Sequence, residues 1–148
     1  MAQSLGRVLV HVIYSTKNRR PDIAVAARAP LHAQLASLAQ QIGCDAVQVG
    51  GTADHVHALV SIGRVHAVAE VVQHMKVESS KWMKARGAVG FAWQAGYGAF
   101  SIGASQVDAV VRYIQRQEAH HRVTSFQDEL RRVLQRYGVP FDERYVWR

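Results

Sequence analysis

The sequence predicts an α+β fold: a ferredoxin-like split β-α-β antiparallel sheet with helices on one face, followed by C-terminal helices. Three observations carry this expectation. Apolar residues alternate in four short runs, as half-buried strands require. Apolar stripes of helical period separate the first run from the second and the third from the fourth. The order strand, helix, strand, strand, helix, strand is the split β-α-β order. The chain has 148 residues, which fits a single domain, 1–148, large enough for its own core.

The first strand lies in "RVLVHVIYST". Val8, Val10, Val12 and Tyr14 point to one side, and Leu9, His11 and Ile13 to the other. His11 has apolar neighbours and reads as a satisfied interior histidine. "TKNRRPD" is a basic loop. "APLHAQLASLAQQIG" then reads as a helix with Pro30 in its first turn, a stripe of Leu31, Leu35, Leu38 and Ile42, and Gly43 at its end. "DAVQVGG" and "HVHALVSI" are two strands joined by the tight "TAD" connection, a probable hairpin by pattern.

The second helix runs through "VHAVAEVVQHMKVESSKWMKARG", with Val68, Val71, Val72, Met75, Ser79 and Trp82 on one face. Lys76, Lys81, Lys84 and Arg86 crowd its later turns, where cations suit the helix dipole. "GYGAFSI" is the fourth strand. Ser105 is the expected cap of a third helix, with Asp108 as its reciprocal partner. The last helix is expected from about Ser125, with Phe126, Leu130, Val133, Leu134 and Tyr137 inward, ending at Gly138 before Pro140. In this arrangement the first two helices cover one face of the sheet and leave the other available.

Composition narrows the partners. Apolar residues make up 49% and charged residues 20% of the chain, a soluble globular balance that excludes a disordered chain. Eighteen Lys and Arg against eleven Asp and Glu leave a net charge of +7. Such a surface attracts polyanions, nucleic acid first. The single cysteine, Cys44, excludes an internal disulfide and reads as a buried filler. No run approaches the ~18 apolar residues of a membrane span. The amino terminus lacks the basic-then-apolar pattern of a secretory signal, so a cytoplasmic setting is expected.

"TADHVHALV" raises the question of chemistry. Val56, Ala58, Val60 and Ile62 make one apolar strand face, so His55 and His57 share the other. Their Cα atoms stand ~6.5–7 Å apart, and two imidazoles at that spacing can meet on one divalent ion. The spacing is weak on its own. Eight histidines in 148 residues give ~0.4 His-x-His pairs by chance. Tyr113 and Gln117 are a second pair, spaced i, i+4 on one helix face. A tyrosine is a poor nucleophile near neutrality unless a cation assists it, and a glutamine carbonyl suits Mg2+ or Mn2+. Alone, this pair too reads as packing and solvation. His120 and His121 follow on the helix and read equally as surface or DNA-contacting residues.

Taken in order, "HVIYSTKNRRP", "DHVHALV", "WQAGYGAFSI", "YIQRQEAHH" and "SFQDELRRVLQRYGVPFDERYVW" resemble the single-tyrosine HUH transposases of small bacterial insertion sequences. The resemblance runs through most of the chain and overturns the bland reading of the histidines. It implies that His55, His57 and Gln117 bind one divalent ion, Mg2+ or Mn2+, and that Tyr113 attacks single-stranded DNA to form a 5′-phosphotyrosine. It further implies DNA hairpins as the recognised partner, a homodimer, and no nucleotide cofactor. One position departs: the family often carries Asn before the glutamine, where this chain has Arg116, which leaves local DNA contacts open. Candidate DNA-binding cations are Lys17, Arg19, Arg20, Lys76, Lys81 and Lys84; each reads equally as a solvated charge.

Trp82 and Trp93 read as packing residues in preference to base-stacking ones, and Trp147 either tucks the tail down or leaves it mobile. Three rival functions stay in view. One is a non-catalytic single-strand binder using the sheet. Another is a domesticated relative acting on repeated extragenic palindromes. The third, a small-molecule metalloenzyme, fits the +7 charge poorly.

Overall fold

A computed structural model describes residues 2–148. Four strands, β1 (Val8–Ser15), β2 (Asp45–Gly51), β3 (His55–Ile62) and β4 (Gly98–Ile102), form one antiparallel sheet in the order β2-β3-β1-β4. The helices are α1 (Val25–Gln41), α2 (Val68–Ala85), α3 (Val107–Gln115), α4 (Gln117–His120) and α5 (Phe126–Arg136). This is the α+β architecture and split β-α-β order expected.

The alternation in β1 and β3 sorts two cores. Val10, Val12, Tyr14, Val56, Ala58 and Val60 face α1 and α2, where Leu31, Leu35, Val71, Val72 and Met75 complete the larger core. Cys44 is buried in this layer, as expected. Trp93 packs edge-on against Tyr14 and Phe91, with ring centroids 4.8 Å apart in each pair, and its indole N–H donates to Ser79 Oγ at 2.9 Å. It is a packing residue, as is half-buried Trp82, which carries the Arg86 guanidinium 4.6 Å from its ring centre.

The opposite face is covered, contrary to the expectation of an available face. Ile114 of α3 packs on Leu9 and Leu59, and Phe126, Leu130 and Leu134 of α5 pack on Ile13 and Phe100. The reason is visible in β1: Leu9 and Ile13 on that side are as apolar as their neighbours on the other. A sheet apolar on both faces needs a layer on each. The tail closes this layer, with Phe141, Val146 and Trp147 packed on the α5 cluster.

Three local expectations are corrected. Helix α1 starts at Val25, so Pro30 lies inside it; the preceding "VAARA" is alanine-rich and helix-favouring, which carries the helix upstream of the proline. Ser105 does not cap α3; a 3-10 turn over Ala104–Gln106 precedes it, and the Gly103 N–H donates to Gln106 Oε1 at 3.0 Å. The continuous helix expected through Tyr113 and Gln117 is broken at Arg116 (φ −100°, ψ 16°), between α3 and α4. The α5 start agrees with expectation: Ser125 Oγ accepts from the Asp128 N–H at 3.1 Å.

Gly50 positions the site. It pairs with His57 across the β2–β3 ladder, so both present the same face. A Cβ there would stand 2.5 Å from the Ile114 carbonyl oxygen of α3. Only glycine lets α3 come this close to the sheet, and that approach brings Tyr113 over His57, with ring centroids 5.7 Å apart.

Candidate active site

His55 and His57 emerge side by side from β3 and are fully buried beneath α3, α4 and α5. Tyr113 comes from α3, buried Gln117 from the first position of α4, and buried Glu129 from α5. The four residues singled out from the sequence, His55, His57, Tyr113 and Gln117, therefore meet in one place.

Hydrogen bonds fix the ring orientations. The His55 Nδ1–H donates to Asp54 Oδ1 at 2.7 Å. Its Nε2 then carries a lone pair, and that atom lies 2.9 Å from Gln117 Oε1. The His57 Nε2–H donates to Glu129 Oε1 at 2.8 Å, which leaves its Nδ1 to accept from His11 Nε2 at 2.8 Å. His121 Nε2 donates to Gln117 Oε1 and to Glu129 Oε1, both at 3.0 Å. Glu129 Oε2 accepts from the Tyr113 hydroxyl and, at 3.1 Å, from Gln117 Nε2.

This arrangement fits a divalent cation. His55, His57, His121 and Glu129 each carry a candidate ligand atom, all within 4.8 Å of one another; on binding an ion, His57 and His121 would give up the Nε2 protons they donate to Glu129. The lone pair of His55 Nε2 and the carbonyl oxygen of Gln117 are both acceptors, yet they face each other, with Glu129 Oε1 3.8 Å from that nitrogen. Converging acceptors are satisfied by a cation. The Asp54–His55 bond is the outer support that metal-binding imidazoles commonly have.

The electrostatics follow from burial and pairing. Burial disfavours the charged form of Glu129, but hydrogen bonds from His121 and His57 outweigh it and hold the carboxyl far below its ordinary range. Burial holds His57 at about 4 against the pull of Glu129, and burial with the His57 neighbour holds His11 at about 3. His121 moves upward, because its bond to Glu129 outweighs its own desolvation. Burial, then the Glu129 charge, pushes the Tyr113 phenol above its ordinary value, so the tyrosine keeps its proton in this arrangement.

These shifts set an acid limit. His11 and His57 are lowered from 6.5, so the unfolded chain binds protons that the folded one refuses. Their contribution is fully present above pH 6.5 and is lost as pH falls towards 4, by up to ~1.4 kcal/mol per unit for each group. Glu129 adds a loss below its ordinary 4.5, while His121, shifted the other way, returns part near neutrality. In chelator, the unfolding midpoint is expected to fall as pH drops from 6.5 towards 4, as followed by circular dichroism. A midpoint that rose between pH 6.5 and 4 would contradict the buried neutral histidines.

Sequence reasoning missed Glu129 and left His121 undecided. Glu129 stands at i+3 from Phe126, beside Leu130 and four before Val133, so it falls on the inward stripe of α5. A carboxylate on an apolar stripe was the available signal. His11 is the interior histidine expected, its partner being His57.

Of the candidate DNA-binding cations, Lys17, Arg19 and Arg20 follow the end of β1 next to the site; Thr16 Oγ1 bonds the carbonyls of both Arg20 and Asp54. Lys76 is committed elsewhere: its ammonium donates to the carbonyls of Gln94 (2.9 Å), Ala95 (3.3 Å) and Gly96. Burial among them lowers it to about 8. Lys81 pairs with Glu78 at 3.3 Å, and exposed Lys84 lies on the same helix α2, across the sheet from Tyr113.

The family model described as "Transposase IS200 like" matches residues 4–117, most of the chain. The chain belongs to the IS200-like transposase family. Among solved structures, this transposase is similar to a candidate transposase from Deinococcus radiodurans R1, with 21% identity and a TM-score of 0.64 over 79% of this chain and 98% of that one. It is also similar to a REP-associated tyrosine transposase bound to a REP hairpin, with 13% identity and a TM-score of 0.59 over 82% of this chain and 74% of that one. Both share its fold. No curated protein matches it. The family match ends at Gln117, so His121, Glu129 and the whole of α5 lie beyond it. Among the described residues, no helix of this transposase is long and apolar enough to cross a membrane.

Proposed function

We propose that this transposase cleaves and rejoins single-stranded DNA through a covalent bond between Tyr113 and a 5′ phosphate. The observation that carries the reading is a convergence within one chain: the Tyr113 hydroxyl and the His57 imidazole donate to the same carboxylate, Glu129, beside Gln117 and His55. His55, His57 and Gln117 would hold one Mg2+ or Mn2+ ion, with Glu129 and His121 within reach as further ligands. Bound there, the ion would supply charge neutralisation at the scissile phosphate and favour the phenolate.

The protein's residues do the rest. The Tyr113 oxygen forms the bond to phosphorus as the bond to the 3′ oxygen breaks; the phenolic proton is relayed through Glu129 Oε2, its hydrogen-bond acceptor, to the departing 3′ oxygen, which leaves as a hydroxyl, and Glu129 ends as the carboxylate it began. Asp54 orients His55, and His11 orients His57. A second 3′ hydroxyl attacking the phosphotyrosine reverses the step and rejoins DNA without ATP. The neighbour of like fold is bound to a REP hairpin, and folded-back single strands are the substrate class proposed here. Lys17, Arg19 and Arg20, which follow the end of β1, are proposed to hold its backbone. In the homodimer that the resemblance implies, the second copy is not needed to bring Tyr113 to His57; it would contribute a second tyrosine for the exchange of two ends.

End-labelled hairpin DNA from the sequences flanking the gene, incubated with Mn2+, is expected to give a protein–DNA band that survives denaturant and disappears with chelator. Cleavage of duplex DNA alone, or a band indifferent to chelator, would overturn the proposal.

A further inference from the structure

A cleft of about 420 Å3 opens between α3 and α5 and ends on the proposed reaction centre. Tyr113 and Glu129 lie at its inner end, beside His11. Its walls are apolar, with Ile102, Val110 and Val133 facing inward from β4, α3 and α5. Arg132 and Arg136 also line it, one helical turn apart on the exposed side of α5.

The two arginines differ from their neighbour. Arg131 is tied to Asp128 at 2.9 Å and to Glu143 at 2.7 Å. Arg132 and Arg136 form no ion pair or side-chain hydrogen bond among the described residues, so both guanidiniums are available to a ligand. Two guanidiniums at the i, i+4 spacing above an apolar slot match a nucleic-acid strand: phosphates at the rim, a base against the walls. The slot is backed by the sheet and its volume is that of a small-molecule site. That volume is on the scale of one unpaired nucleotide. The family match ends before α5 begins, so neither arginine belongs to the matched segment.

We infer that Arg132 and Arg136 are phosphate-positioning residues that lead a single strand through the α3–α5 cleft to Tyr113, with an unpaired nucleotide next to the scissile phosphate seated between Val110 and Val133. The inference rests on the single-strand reading above and adds the path of the strand.

The test is the salt dependence of binding by the full chain, in chelator so that nothing is cleaved, to a fluorescein-labelled oligothymidylate followed by anisotropy. Each phosphate contact in a single strand contributes ~0.7 to the slope of log K against log salt. R132A/R136A is therefore expected to reduce that slope by ~1.4 and to weaken low-salt binding by at least about tenfold. R132K/R136K is expected to restore most of the slope. R64A/R86A, which removes the same charge from the two ends of α2, is expected to leave it unchanged. An unaltered slope in R132A/R136A, or an equal loss in R64A/R86A, would overturn the cleft as the strand's path. The covalent band decides the chemistry separately: a wild-type chain that forms no band while R132A/R136A lowers the slope retains the path and loses the proposed reaction.

Discussion

Tyr113→Phe is expected to abolish the covalent protein–DNA product while the protein still binds single-stranded DNA. The hydroxyl is the only atom removed, and it is the proposed nucleophile; no other tyrosine hydroxyl is bonded to the Glu129 cluster among the described residues. The change also removes a hydrogen bond to a charged acceptor, an effect of ~1.5–3 kcal/mol on stability, so circular dichroism accompanies the assay. The informative pair of readings is a denaturing gel for the adduct and anisotropy for binding. An adduct that persists in the variant would assign the nucleophile elsewhere. Wild-type protein that binds hairpins and never forms an adduct would favour the non-catalytic binder.

Gly50→Ala is expected to have the second largest effect, although Gly50 touches no substrate in the proposed mechanism. The added Cβ would meet the Ile114 carbonyl oxygen at 2.5 Å and Ile114 Cγ2 at 2.8 Å. A backbone atom cannot rotate out of the way, so α3 must lift from the sheet. Overpacking of this kind costs ~1–3 kcal/mol. Tyr113 and Gln117 flank Ile114 on the same segment and move with it. A displacement of about an ångström at a reaction centre can lower the rate ~100-fold. Gly43→Ala is the control. Gly43 ends α1 at φ +82° with open space around its Cα, so alanine there costs ~1–2 kcal/mol of backbone strain and leaves adduct formation unchanged. Equal adduct yields from the Gly50 variant and wild type would show that the close approach of α3 does not set the site.

The histidine pair shows what pattern can and cannot deliver. Alternation in β3 placed His55 and His57 together, away from Val56 and Ala58, and the structure agrees. What alternation did not reveal was the company on that face. His57 bonds to Glu129, 72 residues away, and to His11 on the neighbouring strand. The stripe of α5 was read through Phe126, Leu130, Val133, Leu134 and Tyr137; Phe126, Leu130 and Leu134 are buried as expected and Val133 is half-buried, but Tyr137 is 39% exposed and turns its hydroxyl to the Ser101 carbonyl. Glu129 lies on the same stripe, but apolar counting passes over a charged residue. Lys76 shows the same limit. Its charge read equally as a DNA contact or a solvated cation, and its ammonium is held by the carbonyls of residues 94–96, a partner set that charge counting does not reveal.

By itself the sequence determined the elements, their order and the two faces of each strand, because side-chain periods of two and 3.6 are local properties of the chain. It also singled out His55, His57, Tyr113 and Gln117 as candidates, through an ordered set of motifs, and the family model matches residues 4–117. Only the tertiary structure decided that α3 and α5 close over the histidine face, that Glu129 links Tyr113 to His57, and that the cleft between those helices is lined by Arg132 and Arg136. Those outcomes depend on which surfaces meet over long separations, as when Gly50 admits Ile114. Periodicity along one chain shows that a face will be buried, but not what will bury it.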